Sequence, residues 1–133
     1  MKAISLWQPW ASLMADGQKK IETRHWPAPA YLVGQPLAIH ATKKIDKEFA
    51  YRVGYGANGI LCPRGAVVAI VRLDKVERFT EEFELKMTKN PEGLFGDFSC
   101  GRFGWFCTLL EKLDPPVIVR GAQGLFEWNR ANS

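Results

Sequence analysis

The chain lacks the long hydrophobic run that a membrane-spanning helix needs. The longest aliphatic stretch among its 133 residues is residues 66–71, far short of the roughly 20 residues that cross a bilayer. Gln8 and Pro9 interrupt the opening segment, too early for the apolar core of a signal peptide. We therefore expect a cytoplasmic protein that has no membrane partner.

Cysteine and histidine, the usual ligands of structural zinc, are also scarce. The cysteines are Cys62, Cys100 and Cys107, and the histidines are His25 and His40. They form neither a C-x-x-C nor an H-x-x-x-H pair, whereas a structural zinc site needs four ligands at close spacing. We expect free thiols, no metal site and no cofactor.

Positive charge is concentrated in the first half of the chain. The net charge is +4; residues 1–72 carry ten Lys and Arg against four Asp and Glu, and the remainder carries eight against ten. A basic half favours anionic partners, nucleic acid above all, although many soluble enzymes carry such a charge. Three of the five tryptophans, Trp7, Trp10 and Trp26, also fall there, and tryptophan serves either as core filler or as a platform for a base.

Hydrophobic periodicity predicts one α+β domain over residues 1–133. The predicted strands, all short, cover residues 2–6, 20–26, 36–42, 66–71 with a possible continuation to 79, 103–110, 117–120 and a closing strand near 126–128. The predicted helices cover residues 10–15, 45–53 and 81–87, with Gln8 or Ser5 capping the first and Thr80 capping the last. Residues 54–65 and 90–102 are predicted loops, and Pro115 and Pro116 are expected to end a strand.

The order of these elements favours a small β-barrel. Strands do not alternate regularly with long helices, so a doubly wound parallel sheet is disfavoured. A mostly antiparallel barrel of five to seven strands, with short helices covering its ends, fits the pattern and leaves no exposed sheet edges.

Residues 17–26 are the most informative segment. If the chain is extended from Lys19 onward, Glu22, Arg24 and Trp26 share one face, and a turn after Gly17 brings Lys19 toward Glu22. A carboxylate between two cations keeps its charge and fixes their position. Such a group binds a phosphate or positions a lysine for proton transfer. The alternative is an ordinary strand whose charged side chains are solvated.

This segment also resembles a family signature. Gly17-x-Lys19-x-x-Glu22-x-Arg24 matches the G-x-K-x-x-E-x-R motif of the ASCH domain family. Further similarities follow in the family's order, at residues 5–13 (the Q-P-W-A-S-L opening), 24–26, 37–41, 65–69 and 120–126. The resemblance implies a PUA-like fold, a pseudo-barrel shared with RNA-modification domains, with a cleft beside it floored by the signature residues.

The resemblance also implies two functions, which we keep open. The first is binding of RNA, other single-stranded nucleic acid or a modified nucleotide. The second is hydrolysis of an N4-acylated cytidine or of RNA phosphodiesters, with Lys19 as base or electrostatic stabiliser and Glu22 in support. In the deacylase branch the signature lysine works with a distant glutamate and a threonine three residues on, where this chain has Glu22. A protein-interaction adaptor is a third interpretation.

The candidate ligand-binding residues surround the signature. Aromatic side chains would stack on a base, basic side chains would meet phosphate, and Glu22 would orient them or accept from a base amino group. The candidates are Trp7, Gln8, Trp10, Lys19, Glu22, Arg24, Trp26, His40, Lys43, Ser99 and Arg102. Lys44 and Lys47 would attract the nucleic-acid backbone. His40 lies mid-strand in an apolar run, which also suits a core histidine with satisfied hydrogen bonds.

Overall fold

A computed structural model describes residues 1–56 and 61–130, which form a mixed sheet flanked by short helices. The strands are β1 Lys2–Gln8, β2 Ile21–Arg24, β3 Pro36–Ile45, β4 Ala66–Arg78, β5 Phe103–Ile118 and β6 Leu125–Glu127. The helices are α1 Trp10–Ala15, α2 Lys47–Arg52 and α3 Glu81–Met87, with 3-10 turns at Ala30–Leu32 and Pro91–Phe95. Part of the predicted loop 54–65, residues 57–60, lies outside the described residues.

The six strands pair in the order β2-β5-β4-β3-β1-β6. β1 and β3 are parallel, and the other pairs are antiparallel. This confirms the α+β class and the mostly antiparallel pairing. β2 and β6 end the ladder of described strands, so the strand pairing does not close the sheet into the expected barrel.

The expectation that Pro115 and Pro116 end a strand is wrong. β5 continues through both prolines and ends at Ile118, so it takes in the first two residues of the strand predicted at 117–120. The reason lies in the pairing with β4, in which Val67 is opposite Val117 but Ala69 is opposite Lys112. Both prolines therefore lie in a bulge, where a missing N–H breaks no ladder hydrogen bond.

The main core lies between the sheet and α1. It includes Ile4, Leu37, Val71 and Trp105, all at most 1% exposed. Residues 11–15 of α1 are buried throughout, which explains why so short a helix is held in place by packing rather than by its own hydrogen bonds. This core fixes the positions of β1 and β2.

Thr80 caps α3 as expected, whereas the N-cap residue of α1 is Pro9 rather than Ser5 or Gln8, and Gln8 contributes from the preceding position. The Gln8 Oε1 atom accepts from the Ser12 N–H at 2.9 Å at the start of α1. Thr80 Oγ1 accepts from the Phe83 N–H at 3.1 Å at the start of α3. α2 begins at Lys47 rather than at 45 because the carboxylate of Asp46 caps it. No helix in the described ranges is both long and apolar enough to cross a bilayer.

Candidate functional site

A cleft of about 1570 Å³ opens beside the sheet. Four segments form most of its lining: residues 5–7 of β1, residues 22–26 around the end of β2, residues 94–97, and residues 118–124. Side chains from neighbouring elements complete it: Trp10, His40, Thr42, Lys43 and Arg102. The cleft is thus built where the ends of several strands meet.

The signature side chains meet at one wall of the cleft. The Glu22 Oε2 atom lies 2.9 Å from Arg24 Nε, and its Oε1 atom lies 3.4 Å from Lys19 Nζ. Glu22 and Arg24 share a face because they lie two residues apart on β2. Lys19 joins them because the chain turns at Gly17, whose φ is +77°, and Lys19 N–H then bonds back to the Leu13 carbonyl. The structure therefore brings together the three charged side chains of the signature, Lys19, Glu22 and Arg24, which we call the trio.

Within the trio, Lys19 is the buried member. Its side chain is 1% exposed, against 13% for Glu22 and 21% for Arg24. Its ammonium donates to the Ile21 carbonyl at 2.5 Å and to the Phe95 carbonyl at 2.9 Å. An ammonium has three N–H donors; these two carbonyls take two of them, and the Glu22 carboxylate at 3.4 Å is the ion-pair partner. Glu22 and Arg24 line the cleft, whereas Lys19 borders a separate cavity of about 190 Å³.

Three residues of the segment that contains the 3-10 turn Pro91–Phe95 are hydrogen-bonded to residues 19–23, in β2 and just before it. The Phe95 carbonyl accepts from Lys19, and the Glu92 carboxylate accepts from the backbone N–H groups of Lys20 and Ile21 at 3.0 and 3.2 Å. The Asp97 N–H donates to Thr23 Oγ1 at 3.1 Å. The turn therefore forms a fixed wall of the cleft.

The three candidate stacking tryptophans differ in their exposure. Trp7 is 51% exposed and lines the cleft, with the Lys44 ammonium 5.1 Å from its ring centroid. Trp10 stacks on Phe49 with centroids 5.2 Å apart, and Trp26 packs edge-on against Trp105 at 4.9 Å. Trp7 is therefore the ring with the most free area for a base.

His40 holds the wall formed by residues 119–124. Its Nε2 atom lies 2.8 Å from the Val119 carbonyl, which can only accept, so Nε2 carries the hydrogen. Its Nδ1 atom lies 3.3 Å from Ser5 Oγ, and that hydroxyl donates to the Ala122 carbonyl at 2.9 Å. The ring is 3% exposed, so His40 acts here as a core histidine whose hydrogen bond to the Val119 carbonyl positions a cleft wall.

Besides Lys19, two further predicted ligand residues, Gln8 and Ser99, lie away from the cleft lining. Gln8 is fully buried, and its amide group donates to Ser12 Oγ at 2.8 Å and to the Pro63 carbonyl at 2.6 Å. Ser99 bonds to the Asp97 carboxylate through both its hydroxyl and its N–H. These bonds, with the nearby Arg102 guanidinium, lower the pKa of Asp97. Arg102 does line the cleft, with its Nε 3.5 Å from Asp97 Oδ2.

Comparison with known proteins identifies the family. The family model for the ASCH domain matches residues 4–117 of the chain. The chain belongs to the ASCH domain family. A search of curated proteins found no significant match.

The fold of this ASCH domain is also found in solved structures. A crystal structure of ASCH from Zymomonas mobilis superposes with a TM-score of 0.64 at 17% identity, covering 98% of this chain and 88% of that one. A serine-to-alanine mutant of that protein gives a TM-score of 0.63 at 16% identity, covering 97% and 88%. A tyrosine-to-phenylalanine mutant gives 0.62 at 15%, covering 97% and 90%. At this identity the likeness concerns the fold.

Sequence reasoning misses two walls of the ASCH-domain cleft. Residues 94–97 fall in the predicted loop 90–102, and residues 118–124 span the predicted strand 117–120 and the turn after it, although both segments line the cleft. The second wall carries a signal, because Gly121 and Gly124 lie in the stretch that resembles the family's closing motif. The first carries none, since only the fold brings it against β2.

Proposed function

We propose that this ASCH domain binds single-stranded nucleic acid, RNA foremost, in the cleft. The observation that carries the proposal is the combination found there: an exposed Trp7 and a carboxylate, Glu22, held between two cations, share one basic hollow. Aromatic rings that stack on bases and basic groups that follow the backbone are the general means of binding single strands.

The size of the cleft favours a strand over a single nucleoside. Its volume of about 1570 Å³ exceeds the roughly 300–1,000 Å³ of sites for one small ligand. A ligand that fills the cleft therefore spans more than one nucleotide. A modified nucleotide would then be recognised as part of a strand.

Glu22 is suited to reading a base edge. Both carboxylate oxygens are fixed by cations, and each keeps lone pairs for a further donor. Amino groups of bases are such donors. A base stacked on Trp7 gains about 1–3 kcal/mol, and Lys43, Lys44 and Lys47 add long-range attraction for the backbone.

The geometry favours binding over hydrolysis by Lys19. A general base must reach the proton that it removes, and the Lys19 ammonium is buried, hydrogen-bonded to two carbonyls and ion-paired with Glu22. Incubation with N4-acylated cytidine and with short RNAs tests the alternative. Turnover that disappears in Lys19→Met but persists in Lys20→Met, the exposed neighbour, would favour the hydrolase.

Two finer expectations belong to this proposal. The first is that the sheet curves as in a PUA-like pseudo-barrel, and the second is that the protein is cytoplasmic. The long pair β4 and β5 supports the curl, since its register shifts in three places and such bulges bend and twist a sheet. The location stays a prediction from sequence, which imaging of the tagged protein tests.

Fluorescence anisotropy with labelled oligonucleotides tests the function. We expect single-stranded RNA to bind, with an affinity that falls as salt rises from about 50 to about 200 mM because phosphate contacts release counterions. Glu22→Gln should weaken binding, whereas Glu82→Gln, an exposed residue of α3 outside the cleft, should not. Absence of binding at low salt, or an affinity that is insensitive to salt, contradicts the proposal. Single-stranded DNA and duplex RNA are the comparison ligands.

A further inference from the structure

Two basic residues, Lys43 and Arg120, line the cleft near the start of β4, where strands β3, β4 and β5 lie side by side. Ala66 of β4 pairs with Ala41 on one side and with Ile118 on the other. Lys43 lies two residues beyond Ala41, and Arg120 lies two residues beyond Ile118. Both therefore lie beyond the start of β4, one on each side of it, and both line the cleft.

Gly65 is hydrogen-bonded to both of the segments that carry the two basic residues. Its N–H donates to the Ala41 carbonyl at 2.8 Å, and its own carbonyl accepts from the Val119 N–H at 3.1 Å. The stem of Lys43 passes beside it, with Cε 3.7 Å from where a Cβ of residue 65 would lie. The segments that carry Lys43 and Arg120 thus lie on either side of Gly65, which places no side chain between them.

These two cations differ from the other cations of the cleft. Arg24 is paired with Glu22, and Arg102 is paired with Asp97. Lys43 and Arg120 are both exposed, and neither forms an ion pair with any residue in the ranges 1–56 and 61–130. Their charge is therefore available to an anion, and a ligand does not have to break an existing pair to use it.

The backbone around Arg120 is fixed on both sides. His40 Nε2 donates to the Val119 carbonyl just before it, and Ser5 Oγ donates to the Ala122 carbonyl just after it. A held backbone reduces the ordering cost of the Arg120 side chain on binding.

We infer that Lys43 and Arg120 form a phosphate subsite of the cleft. The inference rests on the proposed function and deepens it by assigning an orientation: a phosphate lies at the Gly65 end, and a base faces Glu22. Arginine offers a fork for two phosphate oxygens, and lysine offers a point charge. The ligand class is then a phosphorylated nucleotide or a strand, and a free nucleoside lacks the group that this end recognises.

Binding of a short single-stranded RNA to paired double variants tests the subsite. The test variant is Lys43→Met with Arg120→Gln. The control is Lys89→Met with Arg52→Gln, which removes the same charge from exposed residues outside the cleft. We expect the test variant to bind RNA at least about tenfold more weakly. The slope of log affinity against log salt should fall by about 0.7 for each phosphate that the variant no longer neutralises.

A second experiment measures the binding of single nucleotides and nucleosides instead of an RNA strand. A nucleoside monophosphate should bind the wild-type domain more tightly than its nucleoside does, and this advantage should disappear in the test variant. Melting temperatures confirm that both variants are folded.

The outcomes separate the subsite from the proposed function. If the test variant matches the control while Glu22→Gln weakens RNA binding, the subsite is wrong and the proposed function stands. If the wild-type domain binds no RNA at low salt, both are wrong. Equal affinity of the wild-type domain for nucleoside and nucleotide also overturns the subsite.

Discussion

The Lys19 ammonium lies 3.4 Å from the Glu22 carboxylate, on the buried side of the residues that line the cleft. The same ammonium bonds to the Phe95 carbonyl of the 3-10 turn Pro91–Phe95. One buried charge therefore links Glu22, which lines the cleft, to the neighbouring wall. Anything that weakens this pair should affect both stability and ligand binding.

Glu22→Gln is expected to destabilise the domain. The substitution leaves the Lys19 ammonium buried without its carboxylate, and breaking a buried pair from one side costs about 3–5 kcal/mol. Glu22 is partly exposed, and its glutamine replacement can still accept a hydrogen bond. We therefore expect the free energy of unfolding to fall by about 3 kcal/mol, the lower end of that range. Denaturant unfolding measures it.

The double variant Lys19→Met with Glu22→Gln is the control for this explanation. It removes the uncompensated charge, so its loss should be smaller than the sum of the two single losses. Additive losses would show that the pair is not the cause.

Trp7→Ala is expected to weaken RNA binding without unfolding the domain. The ring is half exposed and lines the cleft, so its removal costs the stacking energy of about 1–3 kcal/mol and little packing. Tyr31→Ala is the matched control, because Tyr31 is 62% exposed and lies outside the cleft lining. Equal RNA affinity of the two variants would exclude Trp7 as the stacking platform.

The proximity of the three signature side chains is predictable from the sequence, but the burial of Lys19 is not. Alternation along a strand and a turn at Gly17 are enough to bring Lys19, Glu22 and Arg24 together. The burial of Lys19 depends on the 3-10 turn Pro91–Phe95, which lies about 70 residues away in the chain, and no local pattern encodes that contact.

The wrong prediction that a strand ends at Pro115 and Pro116 has a similar physical cause. Both prolines are strand breakers by their own chemistry, yet the partner strand β4 continues past them and resumes pairing at Val117. Whether a proline ends a strand or lies in a bulge depends on the neighbouring strand, which the local sequence does not show.

The three cysteines should differ in their reaction with an alkylating agent. Burial raises the pKa of Cys107 to about 12 and also raises the pKa of Cys62, so few thiolates exist at mildly alkaline pH and both are shielded. Cys100 is exposed and should be modified first. Mass spectrometry after iodoacetamide treatment locates the adducts. Modification of Cys107 before Cys100 in the folded protein contradicts this order.

Alkaline pH should also lower the stability of the domain through Cys107. Burial raises the pKa of this thiol in the folded state from its ordinary value of 9.0 to about 12. The unfolded chain therefore releases that proton first, and the stabilisation, complete below pH 9, is lost as pH rises toward 12. Cys107→Ala should flatten the alkaline part of the stability curve, and an unchanged curve would contradict the assignment.

Gly121→Ala is expected to displace the wall that carries Arg120. A Cβ at this position would overlap Cε1 of the His40 ring and lie 2.5 Å from its Nδ1, well inside contact distance. Overpacking of this kind costs about 1–3 kcal/mol, and relief requires either the ring or the backbone of residues 119–122 to move. We expect a lower melting temperature together with weaker RNA binding.

Gly34→Ala serves as the comparison for this prediction. A Cβ there meets nothing within 4 Å, but the φ of +85° strains an alanine by about 1–2 kcal/mol. Gly34→Ala should therefore lower stability while leaving RNA affinity unchanged, which separates general destabilisation from displacement of the wall. Combining Gly121→Ala with His40→Ala removes the clash, so the double variant should lose less stability than the single losses sum to. Strict additivity would mean that the His40 ring is not the obstacle.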